Sequence, residues 1–158
     1  MNGTLDFDAE AAQRIERAYL TPDILHQREQ VLEQMAVKPG ETVLDIGVGP
    51  GLLALDLARE AGTEGSLLGI DTSAAMIEMT RQRCEQHPCA RFEVADACAL
   101  PCDDGSIDCV VSTQVYEYVA DMPLALSELN RVLKSGGRCL ILDTDYDSLV
   151  LHTETPEL

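Results

Sequence analysis

Short apolar runs alternate with longer segments of helical spacing along most of the chain. Each run is brief and nearly continuous, which is typical of a strand covered on both faces. The predicted strands are 42–46, 66–71, 90–96, 107–113 and 138–145. The predicted helices are 8–20, 22–36, 51–61, 73–86 and 121–134. Thr21 and Ser73 are predicted N-caps, and Gly136-Gly137 is predicted to stop the last helix.

The alternation of strands and helices predicts the fold class. Parallel neighbouring strands need a crossover connection, and a helix between each pair of strands supplies it. We therefore predict an α/β fold, a Rossmann-like doubly wound parallel sheet of strand order 3-2-1-4-5 with right-handed crossovers.

The charge of the chain narrows its partners. Its 158 residues include 28 acidic and 11 basic side chains, for a net charge of −17. Such a surface repels phosphate backbones and anionic lipid, so we expect no nucleic acid and no membrane as partners, and a mild preference for cationic ligands. No window has the roughly 18 consecutive apolar residues of a membrane span, and the acidic N-terminus lacks a signal-peptide pattern. We expect a cytoplasmic protein.

Six cysteines raise the question of a metal site. None forms a C-x-x-C pair or a Cys/His pair at zinc-ligand spacing, so no metal is predicted. Cys109 and Cys139 lie inside apolar runs and are expected to be buried as small hydrophobic residues. The other four, between positions 84 and 102, leave a soft metal or metalloid open as an alternative to scattered reduced thiols.

A glycine-rich loop, “GVGPG” at 47–51, follows the first strand. In doubly wound sheets, ligands bind beyond the carboxyl ends of the strands where the strand order reverses, here between the first and fourth strands. Gly47 and Gly49 can adopt positive φ and lack a Cβ, so a ligand can approach the backbone. The third glycine of the dinucleotide pattern G-x-G-x-x-G would fall at Leu52, where it is absent, and Asp45 adds negative charge, which disfavours a pyrophosphate.

The segment “LDIGVGPG” resembles the D/E-x-G-x-G signature of class I S-adenosylmethionine (SAM)-dependent methyltransferases. Further segments come in the family's order, namely “LLGIDTS”, “EVADACALP”, “DDGSIDCVVSTQVYEYV” and “ALSELNRVLKSGGRCLILD”. The resemblance runs from about Lys38 to Asp143 and is strongest to the ubiquinone/menaquinone-biosynthesis-like group of small-molecule methyltransferases. It implies SAM as cofactor, a net cation that suits an acid beside the loop. It also implies methyl transfer to a small-molecule acceptor by in-line displacement.

The resemblance also implies roles for individual residues. Asp71 would accept from both ribose hydroxyls, Met76 would pack on the adenine, and Asp96 with the Ala97 N–H would bind the adenine edge. A core position for Met76 and a turn cap for Asp96 remain as alternatives. The backbone after the fourth strand is expected to contact the methionine end. The implied cofactor-binding set is Asp45, Gly47, Val48, Gly49, Asp71, Thr72, Met76, Asp96, Ala97, Thr113, Gln114, Tyr19 and Arg28.

The acceptor side is less defined by the sequence. Tyr116 and Glu117 are candidate catalytic residues that would orient the acceptor or take a proton, against the alternative of a loop packed on the sheet. Tyr19 is expected to cover the cofactor and Arg28 to pair with its carboxylate, unless both belong to a solvated helix face. We expect 1–37 to be a helical segment covering the cofactor site and 38–158 to be the SAM-binding methyltransferase domain.

The sequence leaves several alternatives open. The acceptor could be a quinone-like ring, a small amine or acid, or a metalloid, although arsenite methyltransferases carry a cysteine where this chain has Thr113 or Gln114. A SAM-binding partner subunit without its own catalysis and an NAD-dependent oxidoreductase also remain. Family members usually continue with two more strands, so the sheet is expected to lack the C-terminal antiparallel strands. The exposed edge of the fifth strand would then pair in a homodimer or with a complementing chain.

Overall fold

A computed structural model describes residues 19–145, in which five parallel strands form one sheet of order β3-β2-β1-β4-β5. The strands are β1 (Thr42–Ile46), β2 (Ser66–Asp71), β3 (Ala90–Val94), β4 (Ile107–Thr113) and β5 (Leu133–Leu142). The helices are α1 (Pro22–Met35), α2 (Leu52–Ala61), α3 (Ala74–Arg83) and α4 (Met122–Val132), with a 3₁₀ turn at Tyr116–Tyr118. The predicted Rossmann-like doubly wound sheet is confirmed. The predicted helix 8–20 lies almost wholly outside the described residues.

The sheet separates two apolar cores. Val43 and Val111 belong to the core that α1, α2 and α3 cover, whereas Leu44 and Val110 belong to the core that α4 covers. Successive side chains of a strand point to opposite faces, so β1 and β4 contribute to both cores and are almost fully buried. The continuous apolar character of these two strands is thereby explained.

Two predicted helix ends differ from the structure. Helix α3 ends at Arg83, whereas its end was predicted near residue 86. Helix α4 ends at Val132, whereas its end was predicted at residue 134. Leu133 takes an extended conformation and pairs with Ile107 at the start of β4, so the chain enters the sheet before the glycine pair. An irregularity in the β4–β5 register then accommodates the intervening residues before regular pairing begins at Arg138.

The prediction for Cys139 is wrong, whereas that for Cys109 is confirmed. Cys109 is fully buried in central β4, but Cys139 is exposed on β5 at the edge of the sheet. Leu140 and Leu142 pack on the first core, while Cys139 and Ile141 point to the opposite face, where Ile141 is 39% exposed. An apolar run in an edge strand therefore did not imply cover on both faces.

Residues 19–145 include all six cysteines of the chain. All six cysteines are free, and the described residues contain no group of three or more His, Cys, Asp or Glu side chains arranged to hold a metal ion. Within the same range, no helix has the length and apolar character needed to span a bilayer.

Candidate functional site

The glycine loop 47–51 lies at the carboxyl end of β1, between β2 and β4. Gly47, Gly49 and Gly51 have φ angles of +73°, +53° and +80°, in the left-handed region that side chains disfavour. A Cβ at Gly47 would lie 2.1 Å from Val115 Cγ2, whereas a Cβ at Gly49 would meet nothing closer than 3.9 Å. Packing therefore requires glycine at position 47, while Gly49 leaves space above the loop for a ligand.

The amides of this loop are already engaged. Those of residues 47 and 48 donate to the Ile70 carbonyl, that of Gly49 donates to Asp71 Oδ2, and that of Gly51 donates to the Val48 carbonyl. The remaining loop residue is a proline, which has no N–H. The loop consequently has no amide to offer to a phosphate, unlike the loops that bind pyrophosphate at a helix N-terminus.

Thr80 holds the loop from α3, and the sequence analysis did not identify it. Its hydroxyl donates to the Gly49 carbonyl at 2.7 Å, and a Cβ at Gly51 would lie 2.6 Å from its Cγ2. The usable signal was a polar residue within the apolar stripe that also contains Met76 and Cys84 at helical spacing. Such a buried hydroxyl needs a partner, and the loop provides one.

Asp71 ends β2 and is oriented by two backbone donors. Its Oδ1 accepts from the Ser73 N–H and its Oδ2 from the Gly49 N–H, both at 2.9 Å. Burial raises the pKa of this carboxyl, and the backbone hydrogen bonds oppose that rise. Each carboxylate oxygen can accept a second hydrogen bond, so Asp71 can still receive two hydroxyl donors from a ligand.

Asp45 is buried in β1 with an incomplete set of partners. It is 2% exposed, and its Oδ2 has no hydrogen-bond partner among the described residues. Burial, and secondarily the charge of Asp71, raises the pKa of Asp45 to about 7. Unsatisfied buried acids with such shifts are typical of binding or catalytic sites.

Glu117 and Tyr19 are two further candidate residues at the carboxyl edge of the sheet. Glu117 lies in the 3₁₀ turn after β4, and both of its carboxylate oxygens are covered without a hydrogen-bond partner in residues 19–145. Burial raises the pKa of the Tyr19 hydroxyl, and the nearby charges of Asp71 and Glu117 raise it further. Tyr19 therefore lies within electrostatic range of these two acids, and its covering role stays a prediction.

The backbone after β4 is held in an unusual conformation. Gln114 has φ +59° although it is not glycine, and such outliers are concentrated at functional sites. Its N–H donates to the Leu142 carbonyl at 2.7 Å, and the Val115 N–H donates to Asp143 Oδ1 at 2.8 Å. The Gln114 N–H is thus engaged within the protein and is not available for the ligand contact predicted for this backbone.

The residues predicted at the adenine end are partly buried and partly exposed. Met76 and Ala97 are buried, at 2% and 7% exposure, and Thr72 and Asp96 are exposed. Asp96 Oδ1 accepts from the Cys98 N–H at 2.7 Å, which is the turn-capping interaction kept as an alternative. The other carboxylate oxygen of Asp96 can still accept a hydrogen bond from a ligand.

Arg28 and Tyr116 make their observed contacts within the protein, Tyr116 in the packed setting kept as an alternative, so their roles toward a ligand stay predictions. Arg28 Nε lies 3.3 Å from Asp56 Oδ2 on α2, so the structure pairs Arg28 with a carboxylate of the protein. Tyr116 is 2% exposed in the α4 core, its hydroxyl has no hydrogen-bond partner within residues 19–145, and burial raises its pKa to about 12. The structure thus gathers the glycine loop with Asp45, Asp71, Glu117 and Tyr19, but does not show Arg28 among them.

Residues 44–141 of the chain match a family model described as a methyltransferase domain. A 37.1 kDa protein in transposon TN4556 of Streptomyces fradiae is 41% identical over 121 residues, which cover 77% of this chain and 35% of that protein. A 2-phytyl-1,4-naphtoquinone methyltransferase of Nostoc punctiforme is 37% identical over 119 residues, 73% of this chain and 52% of that enzyme. The chain therefore spans between a third and about half of these relatives.

A solved structure of a methyltransferase shares the fold of this chain. The crystal structure of a SAM-dependent methyltransferase from Aquifex aeolicus superimposes with a TM-score of 0.75 at 23% identity. The alignment covers 87% of this chain and 73% of that one. At 23% identity this similarity shows that the two chains share a fold, whereas the function of this chain has to be argued from the residues of its site.

Proposed function

Because the chain belongs to the methyltransferase domain family, as its resemblance to class I enzymes predicted, we propose that it binds SAM at the carboxyl edge of its sheet and transfers the methyl group to a small-molecule acceptor. The main support is two acids with covered carboxylate oxygens, Asp45 Oδ2 and both oxygens of Glu117, that have no hydrogen-bond partner among the described residues, beside a loop whose amides are all engaged. A sulfonium and an ammonium against one carboxylate make SAM a net cation, which suits such acids. When bound, SAM supplies the reactive methyl group.

Several residues of this chain would hold the cofactor. Asp71, fixed by two amides, would accept from the ribose hydroxyls, and Gly49 would leave room above the loop. Met76 would pack on the adenine, with Asp96 and the Ala97 N–H at its edge. Tyr19 would cover the site and exclude water, which strengthens electrostatic interactions inside it.

We propose a quinone-like or other apolar ring as the acceptor. The name of the Nostoc relative supports a ring substrate, and exposed apolar side chains adjoin the site in sequence. Leu20, next to Tyr19, is 49% exposed, and Tyr118, next to Glu117, is 56% exposed. Of the two catalytic candidates the surroundings favour Glu117, since Tyr116 is enclosed in the α4 core.

The two alternative functions predict different observations. An NAD-dependent oxidoreductase needs amides free for a pyrophosphate, and the amides of 47–51 donate within the protein. A SAM-binding subunit without catalysis would bind the cofactor but show no turnover with any acceptor. The cytoplasmic location expected from the sequence remains a prediction.

The outer edge of β5 supports a proposed partner. Within residues 19–145, β5 has a strand neighbour on one side, and an unpaired edge is an arrangement that proteins usually cover. We propose that this edge pairs with a second copy or with a complementing chain. Light scattering at micromolar concentration should give a mass above the monomer, and a clean monomer with an exposed fifth strand would contradict the proposal.

Ligand binding tests the proposed function directly. At 100 times its dissociation constant, SAM or S-adenosylhomocysteine should add about 2.7 kcal/mol to the free energy of unfolding, or roughly 5 to 11 °C in Tm. Asp71→Ala should weaken either ligand by about 2 to 4 kcal/mol, because the ribose hydroxyls lose a charged acceptor. Glu64→Ala, in an exposed turn before β2, is the matched control. A shift with NAD and none with SAM or S-adenosylhomocysteine would overturn the proposal.

A further inference from the structure

Gly49 is held in the glycine loop by both of its backbone polar groups. A Cβ at this position would meet nothing closer than 3.9 Å, so side-chain packing does not fix the loop there. The Gly49 N–H donates to Asp71 Oδ2 at 2.9 Å, and the Gly49 carbonyl accepts from the Thr80 hydroxyl at 2.7 Å. Two hydrogen bonds, one to the end of β2 and one to α3, therefore hold residue 49 in place.

Helix α3 acts on both carboxylate oxygens of Asp71. At the start of the helix, the Ser73 N–H donates to Asp71 Oδ1 at 2.9 Å, and the Ser73 hydroxyl oxygen accepts from the Met76 N–H in the first turn. About two turns further along, Thr80 acts on Asp71 Oδ2 through Gly49. The hydrogen bonds thus form a closed ring that joins Asp71, the glycine loop and helix α3.

Thr80 supplies a side-chain donor to this ring. The residue is 0% exposed, so its hydroxyl is shielded from water and has the Gly49 carbonyl as its partner. Its methyl group faces Gly51, where a Cβ would lie 2.6 Å from Thr80 Cγ2. Serine at position 80 keeps the hydroxyl without the methyl group, and alanine lacks both. These two variants therefore separate the hydrogen bond from the packing.

We propose that Thr80 is a positioning residue, which holds Gly49 so that the Gly49 amide orients the Asp71 carboxylate toward the ribose of the cofactor. The remaining acceptor capacity of Asp71 is then presented in a fixed direction. A carboxylate that is oriented before the ligand arrives loses less freedom on binding, which increases affinity. The inference rests on the proposed function and adds a residue that acts on the cofactor through Asp71.

Titration calorimetry with S-adenosylhomocysteine, which binds without turnover, gives the first readout. Thr80→Ala should weaken binding by about fivefold, the change in an equilibrium constant that one neutral hydrogen bond typically produces. Thr80→Ser restores the hydroxyl and should bind within about twofold of wild type. Thr63→Ala, the same substitution in an exposed turn before β2, is the matched control and should bind as wild type does.

The titration of the Asp71 carboxyl in the ligand-free protein, followed by carboxyl-carbon NMR, gives the second readout. Burial raises the pKa of Asp71, and backbone hydrogen bonds, including the one from Gly49, oppose that rise. The pKa of Asp71 should therefore be higher in Thr80→Ala than in wild type or Thr80→Ser. Asp45 is present in all three proteins, so its interaction with Asp71 does not affect the comparison. Asp108, at the start of β4, is the internal reference and should titrate alike in all three.

The outcomes separate this inference from the proposed function. A change in only one of the two readouts overturns the inference, because Thr80 would then not act on the ligand through Asp71. Equal affinities of the Ser and Ala variants also overturn it, since packing would then account for any loss. If Thr80→Ala does not fold, Thr80→Val, which keeps the volume and lacks the hydroxyl, takes its place with the same two expectations. Wild-type protein that binds neither SAM nor S-adenosylhomocysteine overturns the proposed function, and with it the ligand role of Thr80.

Discussion

The two ends of the parallel sheet hold acidic residues in opposite settings. At the amino ends of the strands, Glu41 accepts two hydrogen bonds from Arg138, at 2.9 and 2.7 Å, and Asp108 accepts one from Lys134 at 2.8 Å. The hydrogen bonds from Arg138 lower the pKa of Glu41 to about 2, and Lys134 lowers that of Asp108. At the carboxyl ends the pKa values of the Asp45 and Asp71 carboxyls are raised by burial.

The difference separates acids that stabilise the fold from acids to which the proposed function assigns a ligand. The guanidinium of Arg138 also donates to the Met35 and Ala36 carbonyls, so the paired end joins β5 to the end of α1. At the other end, Asp45 Oδ2 and both oxygens of Glu117 are covered without a donor within residues 19–145, an arrangement that costs free energy unless a cationic or hydrogen-bonding group compensates it. Local rules of satisfaction are thus broken where function is proposed.

Asp45→Asn should give the largest change, because burial raises the pKa of this carboxyl to about 7. The free energy of unfolding should rise at pH 8 by up to about 4 kcal/mol, since the pKa goes from 3.8 to about 7 on folding. Wild-type stability falls as pH rises from about 4 to about 7, because the folded state retains the proton that the unfolded state releases. The Asn variant lacks this loss, so the difference between the two proteins should grow over that window and then level off.

Urea unfolding at pH 4, 5.5, 7 and 8 measures this difference. Asp103→Asn, in an exposed loop, controls for the loss of one negative charge from the surface. A difference between Asp45→Asn and wild type that stays constant across the four pH values would show that Asp45 ionises alike in both states.

Substitutions of Gly47 and Gly49, at the carboxyl end of the sheet, should distinguish an effect on packing from an effect on ligand binding. Gly47→Ala should cost about 2 to 4 kcal/mol of stability, because its Cβ would overlap Val115 at a positive φ. Gly49→Ala should cost about 1 kcal/mol, for the conformation alone, while weakening SAM at least tenfold by filling the space above the loop. Thermal melting with and without SAM measures both. Wild-type affinity in Gly49→Ala would show that no ligand uses that space.

Arg138→Met should lower stability by about 2 kcal/mol at pH 7, with cofactor affinity within about twofold of wild type. The loss follows from leaving Glu41 and two carbonyls at the end of α1 without their donor. The pKa of Glu41 is depressed, so its contribution is present above about pH 4.5 and is lost as pH falls toward about 2. Denaturation curves at pH 7 and pH 3 should show a smaller deficit at pH 3. A deficit that grows on acidification would argue against the pairing.

Arg59→Ala should give the smallest effect, at most about 0.5 kcal/mol. Its guanidinium lies 3.0 Å from Asp56 Oδ1, but the side chain is 58% exposed and Asp56 also has Arg28. This surface pair is a reference for the less exposed Arg138–Glu41 pair at the amino end of the sheet. A loss above about 1 kcal/mol in urea unfolding would mean that pairing strength does not follow burial here.

The fold was largely predictable because strand and helix periodicity each leave a local signal. Asp71 and the glycine loop could also be found, since both follow directly from a strand end. Thr80 left a weaker signal, a polar residue in the apolar stripe of a helix, whose partner in the glycine loop the sequence does not name. The Arg28–Asp56 pair could not be found, because it depends on which helices become neighbours. Cys139 was misplaced because the run around it does not reveal that β5 is an edge strand.

The contact between Gly51 and Thr80 constrains how this chain can evolve. A side chain at position 51 would overlap the Thr80 methyl group and approach its Cα to 3.0 Å, so the first mutation at either position limits the second. Because that side chain would also lie 2.8 Å from the Thr80 hydroxyl oxygen, a lineage that enlarges residue 51 must first remove both groups from residue 80, and it then loses the hydroxyl that holds the Gly49 carbonyl. Among relatives, these two positions should therefore change together or stay fixed, although they lie far apart in the sequence.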